Sequence, residues 1–279
     1  MLLKEKKIYK IFSDHMDKKY NFLKPIKTKN LIRLGRKADG GYVVDKKIIQ
    51  ATKNLVSFGL GSDWSFELDF KKINTNAIIY MYDYQVSKVP YIKEILKYLR
   101  RFLTFRCNYK DLKARFSLYI NYINFFKLKN LYFYSEKITY PIEKKNDTDL
   151  NKVLFRIKNN EPIILKIDIE GYEFNLVDQI VENKSRIKIL IIEFHWLDKN
   201  EELFLKLFKK IQKYFDIIHI HGNNHCEKLH TGLPIALEMT LLNKDNCKFD
   251  GDYVKKFPIK NLDFPNNPNK EDLVFSFND

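Results

Sequence analysis

The stretch that most constrains the fold is residues 162–174, PIILKIDIEGYEF. Five of the seven residues in 163–169 are Ile or Leu, which is typical of a strand in a parallel sheet that is covered on both faces. Asp168 and Glu170 lie two positions apart, on one side of that strand. Gly171 then permits a sharp turn into a segment with apolar residues at helical spacing. Ligands of open α/β sheets bind outside the carboxyl ends of the strands. The two carboxylates therefore predict a binding site at this edge, unless they only face solvent or cap the helix.

Segments with strand and helix patterns alternate along most of the chain, which predicts a doubly wound α/β sheet. The other predicted strands are 55–58, 76–84, 131–134, 187–194, 215–221 and 235–242, and the predicted helices include 149–158 and 201–214. Residues 31–45 are expected to form a small hairpin around Gly40 and Gly41.

The length of 279 residues suits one large domain, which we assign to 31–279. A helical extension, 1–30, is expected to precede it. The apolar residues of that extension recur at helical intervals: Ile8, Ile11, Phe12 and Met16. A Pro- and Asn-rich tail, 257–277, is expected to wrap the surface.

A glycine turn follows the predicted strand 55–58. Gly59 and Gly61 allow backbone N–H groups to approach a nucleotide-type ligand, and Asp63 can cap the helix that follows. Asp83 ends the next strand, where an acid can accept both hydroxyl hydrogens of a ribose. This pairing also fits a nicotinamide-binding domain. However, Trp64 stands where the dinucleotide fingerprint needs its third glycine, so adenosine binding is favoured over a pyrophosphate clamp.

The histidines point to chemistry at the same edge. His195, His219 and His221 follow strands that are predicted to end there, and a histidine is a natural proton acceptor for a hydroxyl nucleophile. We assign that role to His195, with His221 as the alternate. Asp168, Glu193 and His195 can instead hold a divalent cation.

Two further groups of polar residues are weaker candidates. Zinc binding by His221, His225, Cys226 and His230 is a poor match to the spacing of structural zinc sites. Ser135 and Glu136 follow the strand 131–134, a position from which they can contact the edge of an adenine ring.

Residues 87–130 interrupt the alternation with a basic, aromatic insert between the second and third strands, interpreted as two amphipathic helices. This insert can be a lid, part of an acceptor pocket, a homodimer surface, a contact with an anionic membrane, or plain scaffold. The chain has a net charge of +15, which favours acidic partners, but its lysines are scattered, which argues against nucleic acid.

Cysteine content and apolar runs bear on localisation. Three cysteines are too few for a disulfide framework, and no apolar run is long enough to span a membrane. The expectation is a soluble cytoplasmic protein.

The segment LKIDIEGYEF resembles the hallmark of FkbM-like S-adenosylmethionine-dependent methyltransferases. RKADGGYVV, SFGLGSDWSFE, IEFHW, HIHGNN and the closing LEMTLLN through DFPNNP also look like segments of the related methyltransferase-like group, in the same order. The resemblance implies a class I methyltransferase fold, a Rossmann-like sheet of seven strands with the last strand antiparallel. It also implies that Gly59 and Gly61 form the cofactor loop, that Asp83 holds the ribose, and that Asp168 and Glu170 lie beside the methionine end and the acceptor.

The function that this resemblance implies is S-adenosylmethionine-dependent O-methylation. The expected acceptor is a hydroxyl of a sugar, sugar phosphate or other activated sugar, in surface polysaccharide or glycan biosynthesis. Two alternatives remain open: a nucleotide-sugar or NAD-dependent Rossmann enzyme, and a basic RNA- or membrane-binding protein with a vestigial cofactor site.

Overall fold

The computed structural model describes residues 14–157, 160–246 and 251–278. Its strands are His15–Met16 (β1), Leu31–Leu34 (β2), Tyr42–Asp45 (β3), Asn54–Phe58 (β4), Ile78–Tyr82 (β5), Leu131–Tyr134 (β6), Lys137–Ile138 (β7), Asp147–Thr148 (β8), Ile163–Ile167 (β9), Ile187–Phe194 (β10), Phe215–Gly222 (β11), Leu237–Asn243 (β12), Lys256–Phe257 (β13) and Phe275–Phe277 (β14). Its α-helices are Lys46–Ala51 (α1), Ser65–Ile73 (α2), Val89–Leu103 (α3), Tyr109–Phe126 (α4), Leu150–Arg156 (α5), Val177–Glu182 (α6) and Leu197–Ile211 (α7). Short 3₁₀ helices occupy Lys18–Leu23, Glu173–Leu176 and Lys244–Asn246.

Seven strands form the central sheet in the order β11-β12-β10-β9-β4-β5-β6. Strands β10, β9, β4, β5 and β6 run parallel to their neighbours in that series. Strand β12 is antiparallel to both β10 and β11. A seven-stranded doubly wound sheet with its last strand antiparallel is the class I methyltransferase, Rossmann-like fold that the sequence predicts, so that prediction is confirmed.

Strand β9 lies near the middle of this sheet and is buried along its whole length. Ile163, Leu165 and Ile167 point into one hydrophobic core, which also holds residues of α5, α6 and α7. Ile164 points into a second core, shared with α2 and the β2–β3 hairpin. Because successive side chains of a strand point to opposite faces, an almost continuous apolar run is what a strand between two cores requires.

The first and last strands of the described residues, β1 and β14, pair with each other. Residues 1–13, with Ile8, Ile11 and Phe12, lie outside the described residues, so the predicted leading helix is described only in part. Met16 lies in β1, which pairs in parallel with β14, and the 3₁₀ helix Lys18–Leu23 follows. Residues 14–30 are therefore not one continuous helix, because β1 joins β14 and β13 of the tail in a three-stranded sheet.

Some local predictions are confirmed and others shift. The hairpin predicted over 31–45 forms, with Leu34 opposite Tyr42 across an antiparallel pair. The amphipathic segment after Gly171 begins as the 3₁₀ helix Glu173–Leu176 and continues as α6. Helix α7 begins at Leu197, earlier than predicted, after Trp196 in the left-handed conformation.

The insert between β5 and β6 forms two helices, α3 and α4, as predicted. Trp64 anchors them, since its ring stacks on Phe125 of α4 with centroids 5.2 Å apart. Phe126 packs edge-on against Phe133 of β6 at 5.1 Å. Trp64 therefore packs against the insert from the position where a dinucleotide-binding turn has its third glycine. Among the described residues, no helix is long and apolar enough to cross a membrane.

Candidate functional site

A cleft of about 330 Å³ lies at the carboxyl ends of β4, β5 and β9. The predicted site residues that line it are Gly59, Gly61, Asp63, Asp83, Asp168 and Glu170. Lys166 and Glu67, which the sequence analysis does not single out, line it too. The cleft therefore lies at the edge where ligands of such sheets bind.

The turn after β4 requires glycine. Gly59 and Gly61 have φ angles of +77° and +59°, in the left-handed region. A Cβ atom on Gly59 would lie 1.6 Å from the carbonyl oxygen of Asp168, whereas one on Gly61 would meet nothing within 4 Å. Gly59 thus allows the turn to pack directly on the end of β9, and Gly61 leaves the backbone open.

Asp83 holds this turn in place. Its Oδ2 accepts the backbone N–H groups of Leu60 at 3.0 Å and Gly61 at 2.9 Å. Its Oδ1 accepts those of Gln85 at 2.7 Å and Val86 at 3.3 Å. A carboxylate offers about four lone-pair sites, so these four donors use its capacity. The predicted ribose contact therefore requires that at least one of these hydrogen bonds opens.

Two buried charges lie in the wall of the cleft. Lys166 of β9 donates from Nζ to the carbonyl oxygen of Gly59 at 3.1 Å. Glu67 of α2 accepts a hydrogen bond from the Ser57 hydroxyl at 2.6 Å through Oε1, while its buried Oε2 has no hydrogen-bond partner. Burial raises the pKa of Glu67, and the positive charge of Lys166 opposes that rise. An unsatisfied buried acceptor in a cleft wall suits a ligand that carries a donor, such as an ammonium group.

A second pocket, of about 250 Å³, adjoins the cleft. Asp39, Asp168 and Glu170 line both cavities, whereas Glu193 and His195 line only the second. Asp168 is held at this junction by the Tyr42 hydroxyl, which donates to Oδ2 at 2.9 Å. The remaining polar lining of the second pocket includes Asn223, His225 and Cys226. Two ligands, one in each cavity, would therefore meet at Asp168 and Glu170.

His195 lies among four carboxylates. Its Nδ1 is 2.6 Å from Oε1 of Glu173, which also accepts the backbone N–H of Gly171 at 3.1 Å. The distances from Nε2 to the other carboxylates exceed hydrogen-bond length: 3.6 Å to Glu193, 3.7 Å to Glu170 and 3.8 Å to Asp168. Glu173 therefore fixes the ring from one side, and Nε2 faces the three other acids without a hydrogen bond.

The electrostatics of this group are unusual. Burial by itself lowers the pKa of His195, but the hydrogen bond to Glu173 and the charges of Glu193, Glu173 and Asp168 outweigh it and raise the pKa to about 10. Burial also raises the pKa of Asp168 and, strongly, that of Glu193. At Asp168 the positive charges of Lys166, on the side of the cleft, and of His195 oppose that rise.

Three of these side chains meet the geometric requirement for a metal site. Asp168, Glu193 and His195 each offer one ligand atom, and the three atoms lie within 4.8 Å of one another. Carboxylate oxygens and an imidazole nitrogen suit a divalent cation. Glu173 would serve such a site from outside, because a ligating histidine commonly donates its other N–H to a carboxylate.

Other predicted residues lie elsewhere. His221 is buried between Glu238, 3.0 Å from Nδ1, and Asp272, 3.1 Å from Nε2, and it lines neither cavity. Contrary to the expectation from the sequence, His221 therefore does not lie beside Asp168 and Glu170. The reason is that β12 separates β11 from β10 and β9 in the sheet, and Glu238 of β12 and Asp272 of the tail bind the two ring nitrogens. His219 is likewise paired, with Asp263 at 2.9 Å.

Asp63 and Ser135 also have local roles. Asp63 lines the cleft but accepts hydrogen bonds from the backbone N–H and the hydroxyl of Ser65, at 3.3 and 2.8 Å. Ser135 lines a separate depression, while its neighbour Glu136 reaches the cleft. In the part of the chain that the structure describes, no three-ligand group forms from the residues considered for zinc: His221, His225, Cys226 and His230.

Residues 119–223 match the family model described as the methyltransferase FkbM domain. The resemblance seen in the sequence is thereby confirmed, over a range that includes Asp168, Glu193 and His195. No curated protein matches the chain.

Solved methyltransferases show similarity at low sequence identity. The chain is similar to fibrillarin in a complex with Nop5p, with 12% identity over 68% of this chain and 72% of that one and a TM-score of 0.37. It is also similar to precorrin-6y C5,15-methyltransferase from Geobacter metallireducens, with 9% identity, coverage of 84% and 100%, and a TM-score of 0.36. A third is a putative rRNA methylase from Clostridium thermocellum, with 8% identity, coverage of 71% and 92%, and a TM-score of 0.38.

Proposed function

We propose that this chain, residues 119–223 of which match the methyltransferase FkbM domain, transfers a methyl group from S-adenosylmethionine to a hydroxyl of a sugar or activated sugar. The observation that carries the proposal is the junction at Asp168 and Glu170, where the cleft and the second pocket meet. Methyl transfer is an in-line displacement, which depends above all on aligning donor and acceptor. Two adjoining cavities with shared walls provide that alignment.

The cleft fits the cofactor at several points. The glycine turn allows close approach of the backbone, and Asp83 would accept a ribose hydroxyl after one of its four hydrogen bonds to backbone N–H groups opens. The free Oε2 of Glu67 is a suitable acceptor for the ammonium group of the methionine part. When bound, S-adenosylmethionine supplies an electrophilic methyl group on a positively charged sulfur. Asp168 and Glu170 would stabilise that charge at the junction.

The second pocket fits an acceptor rich in hydroxyl groups. Asn223 donates to Oε1 of Glu193 at 2.9 Å, so the pocket presents an amide and carboxylates as a connected polar wall. Such groups bind hydroxyls by hydrogen bonds. The net charge of +15 favours the approach of a phosphorylated or nucleotide-linked sugar, whose charged group would lie outside this carboxylate-lined pocket.

The hydroxyl proton can be removed by two routes. They exclude each other because both use Nε2 of His195, either as the proton acceptor or as a ligand of a cation. A free imidazole would accept the proton, but with its pKa near 10 this ring is already protonated at neutral pH. We favour the second route because Asp168, Glu193 and His195 offer three ligand atoms within 4.8 Å of one another. They would hold a divalent cation, which would displace the proton from His195 and lower the pKa of an acceptor hydroxyl. Glu170, whose side chain is exposed, would then accept the proton and pass it to solvent.

The test is a methyl-transfer screen of nucleotide sugars and sugar phosphates with S-adenosylmethionine, followed by mass spectrometry. The proposal predicts a methylated sugar from the wild-type chain and none from Asp168→Asn. A matched control is Glu202→Gln, an exposed acid on α7, which should retain activity.

The NAD-dependent alternative predicts a different result from the same panel. Oxidation or epimerisation of a sugar that depends on NAD, with no methylated product, would replace the methyltransferase proposal with that alternative. A methylated product that forms equally well after chelation of divalent cations would support the methyltransferase proposal and exclude a catalytic role for the cation.

A further inference from the structure

Helix α3 presents a stripe of apolar side chains to solvent. Its members recur at intervals of three and four residues and are Val89, Ile92, Leu96, Leu99 and Leu103, each at least 36% exposed. Such spacing places them on one face of the helix. The 15 residues of α3 extend about 22 Å, so the stripe is comparable in length to the helix itself. Among the described residues, nothing covers this face.

The turn that joins α3 to α4 is also apolar and open. Phe105 is 97% exposed, Leu103 is 68% exposed and Tyr109, at the start of α4, is 64% exposed. Single exposed apolar residues are common on protein surfaces, but a continuous group usually marks an interaction site. We refer to the α3 stripe with Phe105 and Tyr109 as the apolar edge of the insert.

The apolar edge does not result from a loosely attached hairpin. Arg115 of α4 donates to the Tyr98 hydroxyl of α3 at 3.1 Å and lies over the Tyr98 ring, 4.4 Å from its centroid. Ile95 on α3 and Phe125 on α4 are buried, and Phe125 stacks on Trp64. The hairpin therefore has a packed inner face of its own, and the apolar edge is a second face.

Basic residues border the apolar edge. Residues 87–130 contain eleven Lys and Arg and two acidic residues, a net charge of +9 out of the +15 of the whole chain. Lys93 and Arg100 lie on α3 beside the stripe, and Arg106 and Lys110 flank the turn; all four are exposed. Apolar side chains beside basic ones are the pattern of helices that lie in the surface of an anionic membrane.

We propose that the apolar edge binds the surface of an anionic lipid bilayer. The side chains of the stripe and Phe105 enter the boundary between headgroups and acyl chains, and Lys93, Arg100, Arg106 and Lys110 contact lipid phosphates. A second copy of the chain fits less well, because two inserts, each of net charge +9, would face each other. Nucleic acid would satisfy the basic residues but would leave the aliphatic stripe in water.

The proposal extends to how the enzyme meets its substrate. A pocket of about 390 Å³ at the base of the hairpin is lined by Pro90, Tyr91 and Arg115 together with Gly61 and Ser62 of the glycine turn. The insert is thus continuous with the rim of the cleft. A chain bound through the apolar edge would hold its cleft near the bilayer surface.

The experiment is flotation of the full chain with vesicles at 0.15 M salt. Vesicles of phosphatidylcholine alone are compared with vesicles that contain phosphatidylglycerol as the minor lipid. The proposal predicts co-flotation with the anionic vesicles and little with the neutral ones. Leu96→Ser with Leu99→Ser should abolish it. Each basic residue near an anionic surface contributes about fivefold in affinity, so Lys93→Glu with Arg100→Glu should weaken binding at least 25-fold.

Matched controls lie on α7, where Leu203 is 40% exposed and Lys206 and Lys209 are exposed. Leu203→Ser and Lys206→Glu with Lys209→Glu should bind vesicles like the wild type. Circular dichroism and thermal unfolding verify that every variant is folded. If a variant does not fold, the wild-type comparison of the two vesicle types still decides the question.

Three results would overturn the proposal. The first is equal behaviour with neutral and anionic vesicles. The second is a dimer in sedimentation equilibrium that Leu96→Ser with Leu99→Ser dissociates, which would assign the edge to a second copy. The third is RNA binding with a steep loss of affinity in salt, together with no flotation.

Discussion

The substitutions Gly59→Ala and Gly61→Ala test how the turn after β4 is packed. Both introduce backbone strain, but only Gly59→Ala also introduces a steric collision. Both have positive φ, and an alanine in the left-handed region costs about 1–2 kcal/mol. Only at Gly59 does the new Cβ collide, at 1.6 Å from the carbonyl oxygen of Asp168. Relief of that collision requires the turn and the end of β9 to separate by about 1.4 Å to reach 3.0 Å, the shortest contact that real Cβ atoms make.

That separation would break two hydrogen bonds between β9 and the segment of β4 and the turn, from Asp168 N–H to the Phe58 oxygen at 3.0 Å and from Lys166 Nζ to the Gly59 oxygen at 3.1 Å. At about 1 kcal/mol each, they bring the expected cost of Gly59→Ala to about 3–4 kcal/mol, against about 1–2 kcal/mol for Gly61→Ala. A domain of typical stability, about 5–15 kcal/mol, would still fold with either change.

Urea unfolding followed by circular dichroism measures the two free energies of unfolding, and calorimetry measures the affinity for S-adenosylmethionine. Gly59→Ala should also weaken the binding of S-adenosylmethionine, because Asp168 moves away from the turn. Equal destabilisation by the two alanines would contradict the close packing of the turn on β9.

Two further predictions concern the histidines. His195→Ala should remove a ligand of the cation and so lower the methyl-transfer rate by more than the roughly 10–100-fold that loss of an outer partner of a metal ligand costs, with little change in cofactor affinity. Chelation should lower the wild-type rate similarly, and added Mg²⁺ should restore it. A wild type that is indifferent to chelators, with a loss of about 10²–10⁴-fold in His195→Ala, would instead assign His195 the role of base. His221→Gln should lose stability chiefly at neutral and lower pH. Burial lowers the pKa of His221, but the hydrogen bonds to Asp272 and Glu238 outweigh it and raise that pKa from 6.5 to about 10. The contribution of His221 to the free energy of unfolding is therefore complete below pH 6.5 and disappears as the pH approaches 10. The difference in unfolding free energy from the wild type should therefore shrink between pH 6.5 and 10, and a constant difference would show that His221 acts through packing alone.

The sequence was informative about the site because adjacent parallel strands end at one edge. Asp168 and Glu170 follow β9 and His195 follows β10, which pairs with β9 along its length. Once both strands are assigned, their terminal residues must lie close together, and the structure brings Nε2 of His195 within 3.8 Å of Asp168. This inference needs the strand assignment, which the apolar runs provide, and the pairing of β9 with β10, which the structure provides.

His221 shows where such reasoning stops. It occupies the corresponding place on β11, but β11 pairs with the antiparallel β12 and not with β9 or β10. Its partner Asp272 lies in the tail, 51 residues away. Partners so distant in the chain leave no local pattern, so the sequence cannot distinguish His221 from His195.

Lys166, Glu67 and Glu173 were missed for a different reason. A lysine inside an otherwise apolar strand is a signal, since a buried charge needs partners, but the pattern does not say which partners. Glu67 reads as one more polar residue of an amphipathic helix until its burial is known. Glu173 acts on His195 through the short 3₁₀ helix after Gly171, whose geometry a helical pattern does not predict.

The most direct test of the central claim is a calorimetric titration of the wild-type chain with S-adenosylmethionine, and with NAD as the comparison. One S-adenosylmethionine should bind per chain and NAD should not bind, and Glu67→Gln should bind S-adenosylmethionine more weakly than the matched Glu202→Gln. Binding of NAD with none of S-adenosylmethionine would contradict it.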